Sequence, residues 1–184
     1  MGLLGLMLLQ ESRRAARTSP DGDLILLDEQ DRSLWNREQI AEGIALTESA
    51  LRSRRFGAYT LQAAIVAVHA ESSSAASTDW REIKLLYDRL LQVQPSLVVE
   101  LNRAVAVAMA YGPAAGLALT DALLAAGALP GYHLLPSVRA DLLTRLGRNA
   151  EARAEFERAA QLTQNARERA LLVRRAAACM QPSS

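Results

Sequence analysis

Apolar residues recur at three- and four-residue spacings along most of the chain. That period predicts helices over about 3–17, 59–71, 97–111, 114–126, 132–146, 150–163 and 166–180. Two more begin at capping residues. One starts near Asn36, with Gln39 as its capping-box partner, and ends in the basic cluster Arg52, Arg54 and Arg55. The other starts at Asp79, with Glu82 as partner, and stops before Pro95. The stretch 24–35, LILLDEQDRSLW, fits no helical period. An apolar run there meets Asp28, Glu29, Gln30, Asp31 and Arg32 and closes on Trp35. Ser19-Pro20-Asp21-Gly22 ahead of it is turn chemistry, and Pro182-Ser183-Ser184 frays the far end.

The helices also repeat in pairs. The turn glycines Gly112 and Gly147 lie a tetratricopeptide length apart. After Gly147, Ala152, Phe156 and Ala159 stand where that consensus wants a small residue, an aromatic and a small residue. The Gly112 unit is less regular, with Leu117 in the alanine position and Asp121 in the aromatic one. Three units are expected, about 59–95, 98–131 and 133–165, followed by a capping helix. The fold expected is all-α, a tetratricopeptide-like array of helical hairpins (an α-solenoid) of about nine helices with an irregular segment near 20–35. Residues 1–57 form an N-terminal linker region and 58–184 the repeats, in one compact unit.

Composition agrees with close helix packing. Of 184 residues 50% are hydrophobic and only 4% aromatic, with Ala and Leu prominent. Net charge is +1, which gives no overall drive toward nucleic acid. Arg replaces Lys almost everywhere, as in a GC-rich bacterial coding sequence, and 139–175 carries a local basic excess that reads as a solvated face or a weakly basic docking surface. Cys179 stands alone, so no disulfide or thiolate metal site is expected and reducing cytoplasm is the natural compartment. The apolar start MGLLGLMLL is too short to cross a membrane and lacks the basic residue of a signal peptide. It reads as one face of a first helix, and a chain that begins in mid-helix is expected to be a piece of something longer.

No catalytic constellation is visible, and no cofactor or metal is expected. His69 and His133 lie in separate helices without metal-ligand spacing. His69 reads as an interhelix histidine before a general base. In a repeat array the first helix of each unit lines a groove, which would place Asn102, Ala106, Met109 and Ala110 in the middle unit and Ser137, Asp141 and Arg145 in the last. The polar cluster has two readings. It is either a loop in which Asp31 caps helix two and Arg32 pairs with a neighbouring carboxylate, or a contact site pinned by Leu34 and Trp35 with Asp31 and Arg32 projecting.

Several blocks, LMLLQESRRAAR, DGDLILLDEQDRSLWNREQIAEG, YTLQAAIVAVHAE, TDWREIKLLYD, LNRAVAVAMAYGPAAGL and GYHLLPSVRADLLTRLGR, run in an order that resembles one family. It is the C-terminal tetratricopeptide-like extension of bacterial extracytoplasmic-function sigma factors. The family's Asp-Gln-Asp-Arg signature falls on Glu29, Gln30, Asp31 and Arg32, with Glu in place of the first Asp. The resemblance implies a regulatory part that modulates transcription initiation through the sigma domains upstream of it or through core RNA polymerase. DNA would be reached only through those domains. A homo-oligomer is also open, and the rival reading is a stand-alone peptide-binding adaptor.

Overall fold

The computed structural model describes residues 1–54 and 57–180. Arg55 of the basic cluster and the Pro182-Ser183-Ser184 tail lie outside them. The described residues form nine α-helices: α1 (Gly2–Glu11), α2 (Arg37–Arg52), α3 (Ala58–Glu71), α4 (Trp80–Val93), α5 (Leu97–Tyr111), α6 (Pro113–Ala125), α7 (Leu134–Arg145), α8 (Asn149–Leu162) and α9 (Ala166–Ala178). Extended structure among them is a single bridge between Thr18 and Leu24. Contacts divide the chain into two units, Met1–Ser96 and Leu97–Ser184. The sequence placed a boundary at 57/58 within one compact unit. The contacts differ, because α1 packs on both α2 and α3.

In the first unit the helix starts are those the capping residues announce. Asn36 Oδ1 accepts from the Gln39 amide at 3.0 Å, and Asp79 Oδ1 accepts from the amides of Arg81 and Glu82. Each satisfies donors that a helix N-terminus leaves without partners. α1 ends earlier than its periodicity suggests. The Ser12 hydroxyl donates to the Leu9 carbonyl at 2.8 Å, and the chain continues as a 3₁₀ turn over Arg14–Ala16. Glycines bring α1 onto its neighbours. A Cβ at Gly5 would stand 2.7 Å from Thr47 Oγ1 and one at Gly43 would stand 2.7 Å from Leu9 Cγ, so no side chain fits between α1 and α2. The core gathers Leu9, Ala16, Trp35, Ile40, Ala63, Ala67 and Ala70.

The second unit is a run of hairpins, α5 with α6 and α7 with α8, closed by α9 against α8. Ala152, Phe156 and Ala159 are buried at the expected positions. The middle pair corrects the sequence alignment. Its close approach is at Gly116, where a Cβ would lie 2.5 Å from Ala108 Cβ, and Thr120 and Leu123 follow as buried residues. The spacing of four and then three is therefore kept, but it starts one residue earlier relative to the turn glycine. Leu117 is buried on the neighbouring face, and Asp121 points outward to Arg139.

Candidate interaction site at the arginine–tryptophan junction

The segment between α1 and α2 is built on Trp35, which is 2% exposed. Its ring belongs to the core shared by α1, α2 and α3. Two guanidiniums approach it, that of Arg32 at 4.7 Å from the ring centroid and that of Arg13 at 5.8 Å. Such contacts combine cation–π attraction with burial of the arginine stem. The Ser12 carbonyl accepts from the Asn36 amide at 2.9 Å, which ties the end of α1 to the start of α2.

Arg32 neither pairs with a carboxylate nor projects, so both sequence readings of it are corrected. Its Nη1 donates to the carbonyls of His69 and Ser72, each at 2.6 Å. These carbonyls lie at the C-terminal end of α3, where helix carbonyls lack intrahelical partners and the dipole favours a cation. The arginine thus caps α3 from a loop far away in sequence. Its pKa is lowered, first by burial and then by Arg37.

The rest of the signature divides its work. Asp31 caps the 3₁₀ turn Arg32–Leu34 by accepting from the Ser33 amide at 2.8 Å, and helix two takes its cap from Asn36 instead. Hydrogen bonds from Ser33 hold the Asp31 carboxyl below its ordinary range. Gln30 Nε2 donates to the Ile25 carbonyl at 3.3 Å. Asp28 and Glu29 are exposed. Leu34 is exposed too, so of the Leu34–Trp35 pair only Trp35 is buried.

Four arginines gather around this anchor. Arg13 and Arg17 both reach Gln10: Arg13 Nη2 donates to its Oε1 at 2.7 Å, and Arg17 Nη2 donates to its carbonyl at 2.5 Å and its Oε1 at 3.0 Å. Arg37 Nη2 donates to the Arg32 carbonyl at 3.3 Å. Burial, then Arg17 and Arg32, lower Arg13 to about 10. His69 sits edge-on to Trp80 at 5.0 Å. Burial, then Arg13 and Arg32, push it down to about 4. Three polar atoms buried here have no partner: Trp35 Nε1, Arg13 Nε and Gln30 Oε1.

The residues expected to line a groove fare differently. Asn102 is exposed and Ala106 is buried. Asp141 accepts from Arg175 of α9, and Arg145 Nη1 lies 3.0 Å from Met109 Sδ. Ser137 is half-buried on α7. A cavity of about 280 Å³ in this unit is lined instead by Thr144, Gly147, Asn149, Phe156, Arg175 and Cys179. Among the described residues no group of His, Cys, Asp or Glu is arranged to hold a metal, and no helix is long and apolar enough to cross a membrane. The approach of Arg13 to Trp35 escaped the sequence reading.

Residues 1–51 match the model of a family of unknown function, DUF6596. The matched region runs from α1 to the last turn of α2 and contains the whole junction. A protein of Rhizobium meliloti (strain 1021), described as uncharacterized protein R00370, is 48% identical over 172 residues. The alignment covers 94% of this chain and 40% of the relative, so the chain spans about two-fifths of that protein's length. No solved structure matches the chain.

Proposed function

We propose that the chain is a non-catalytic regulatory and scaffolding region of a bacterial transcription-initiation protein of the extracytoplasmic-function sigma type, working in the cytoplasm. It acts by contact with sigma domains or with core RNA polymerase, and the junction around Trp35 supplies that contact. The reading draws on the resemblance of the sequence blocks and on the greater length of the relative. The observation that carries it is local. The matched family region is centred on a rigid junction whose acidic members, Asp28 and Glu29, are exposed and held by nothing else. A loop fixed by a buried tryptophan and an arginine clip yet presenting unused polar groups is suited to recognition.

The experiment is promoter-directed transcription by the protein that carries this chain, with purified RNA polymerase. Asp28→Ala with Glu29→Ala leaves the Trp35 anchor and the Arg32 clip intact. Transcription is expected to change several-fold while helix content stays constant. Unaltered transcription would sink the role given to the junction. Arg32 is the wrong residue for this test, because its loss would loosen α3 as well.

A further inference from the structure

We propose that the arginines around Trp35 form a receptor for the carboxylates of an acidic protein segment. This rests on the regulatory reading above and names the chemistry of the contact. Arg13, Arg17, Arg32 and Arg37 share the junction, and every hydrogen bond they make goes to a neutral acceptor: the Gln10, His69, Ser72 and Arg32 carbonyls or the Gln10 amide oxygen. No described carboxylate pairs with any of them. Arg14 beside them and Arg52, Arg139, Arg148, Arg153 and Arg175 farther away each hold a carboxylate, while Arg89, Arg145 and Arg169 bond neutral acceptors singly rather than as a cluster. Like charges left together without a counter-charge repel, and a carboxylate laid across them would relieve that repulsion and take up the unused donors.

A second observation is independent of charge. Trp35 is almost wholly buried, and its Nε1 has no acceptor; Arg13 Nε beside it has none either. Two buried donors in one junction are thus left without an acceptor among the described residues. Arg17 is half-buried and Arg37 exposed, so the outer edge of the cluster is open to a partner. The partner is an acidic protein segment rather than DNA. Asp28, Glu29 and Asp31 are exposed on the same segment, so a partner that brings one or two carboxylates on an otherwise neutral segment avoids the repulsion that a continuous run of phosphates would meet. One or two carboxylate side chains can reach the arginines between them.

The test uses the chain with Trp80→Phe, which leaves Trp35 as its one tryptophan. Its fluorescence and its indole N–H resonance are followed while an otherwise neutral decapeptide carrying two adjacent Glu residues is added. A Lys-rich decapeptide, inorganic phosphate and a short DNA duplex are added in parallel. Saturable binding of the acidic peptide with movement of the indole resonance is expected. Arg17→Gln with Arg37→Gln should weaken it at least about tenfold, as loss of charge-assisted contacts does. Arg153→Gln with Arg158→Gln, in the other unit, should leave it unchanged. Circular dichroism and the free indole resonance report whether the first pair still folds; if that pair is unfolded, Arg37→Gln alone carries the comparison. Absence of acidic-peptide binding, tighter binding to DNA, or equal binding by both pairs would overturn the proposal. The regulatory reading would survive that result if Asp28→Ala with Glu29→Ala still alters transcription. Peptide binding without any effect on transcription would spare this inference and sink the other.

Discussion

Arg32 covers the Trp35 ring at 4.7 Å while its Nη1 holds the carbonyls of His69 and Ser72 at 2.6 Å. One side chain therefore joins the inter-helix segment, the aromatic core and the end of α3. Replacing Arg32 with Ala removes two charge-assisted bonds and a stacked cation, and should cost about 2–4 kcal/mol. Arg32→Lys should recover less than half, because an ammonium lacks the planar fork. Trp35→Ala should cost about 3–5 kcal/mol, as for other buried aromatics. Urea unfolding followed by circular dichroism measures all three, and an Arg32→Ala loss under 0.5 kcal/mol would refute the clip.

Gly116 and Gly43 should respond differently to alanine. At Gly116 the new Cβ would meet Ala108 Cβ at 2.5 Å and the Ala104 carbonyl oxygen at 2.7 Å, and backbone cannot rotate away. A loss of about 2–3 kcal/mol is expected despite the roughly 1 kcal/mol that Ala gains over Gly in a helix. At Gly43 the new Cβ would meet Leu9 Cγ at 2.7 Å, but the nearest backbone atom, the Gly5 carbonyl oxygen, stands farther off at 3.2 Å, so a smaller loss is expected. Thermal melting of the two variants ranks them, and the reverse order would contradict the packing.

Arg139 joins three helices. It bonds Asp121 Oδ1 of α6 through Nε and Nη2 and Glu155 Oε1 of α8 at 2.8 Å through Nη1. The side chains of Arg139 and Glu155 are only 15% and 16% exposed, and Glu155 Oε2 is already without a partner. Arg139→Ala leaves that carboxylate only Arg158, at 3.9 Å, and should cost about 2–3 kcal/mol. Arg153→Ala breaks an exposed pair with Glu157 and should cost under about 0.5 kcal/mol. Equal losses would argue against the network.

His69 gives a pH signature. Burial, then Arg13 and Arg32, hold it down to about 4, against 6.5 ordinarily. The unfolded chain therefore takes up a proton near pH 6.5 that the folded chain refuses until about pH 4. The stability it contributes is fully present above 6.5 and is lost as pH falls through that window. Wild type should lose a few kcal/mol more than His69→Gln between pH 7 and pH 4. Parallel curves for the two would show that the histidine is not buried as described.

Local chemistry made the helices legible. Asn36 and Asp79 announce their starts because a cap needs only its own next residues. The end of α1 was hidden, since Arg13 and Arg14 suit a continuing helix and only the Ser12 hydroxyl, turned back on Leu9, shows the stop. The middle hairpin misled because its turn glycine precedes Pro113, which opens α6 and leaves the close approach at Gly116. Trp35 could be picked out as an anchor because a lone aromatic among polar residues is conspicuous. The partners of Arg32 could not, because both are carbonyls of residues far along the chain, and a carbonyl has no sequence signature.

The bond from the Asn36 amide to the Ser12 carbonyl closes residues 13–35 at their base. A peninsula held at its neck can change its outline without moving the mainland. Lengthening its outer turn at 19–23 should be nearly free, because doubling a loop adds only about 0.6 kcal/mol of closure entropy. Length and composition can therefore change there while Trp35 and the helices beneath it stay as they are.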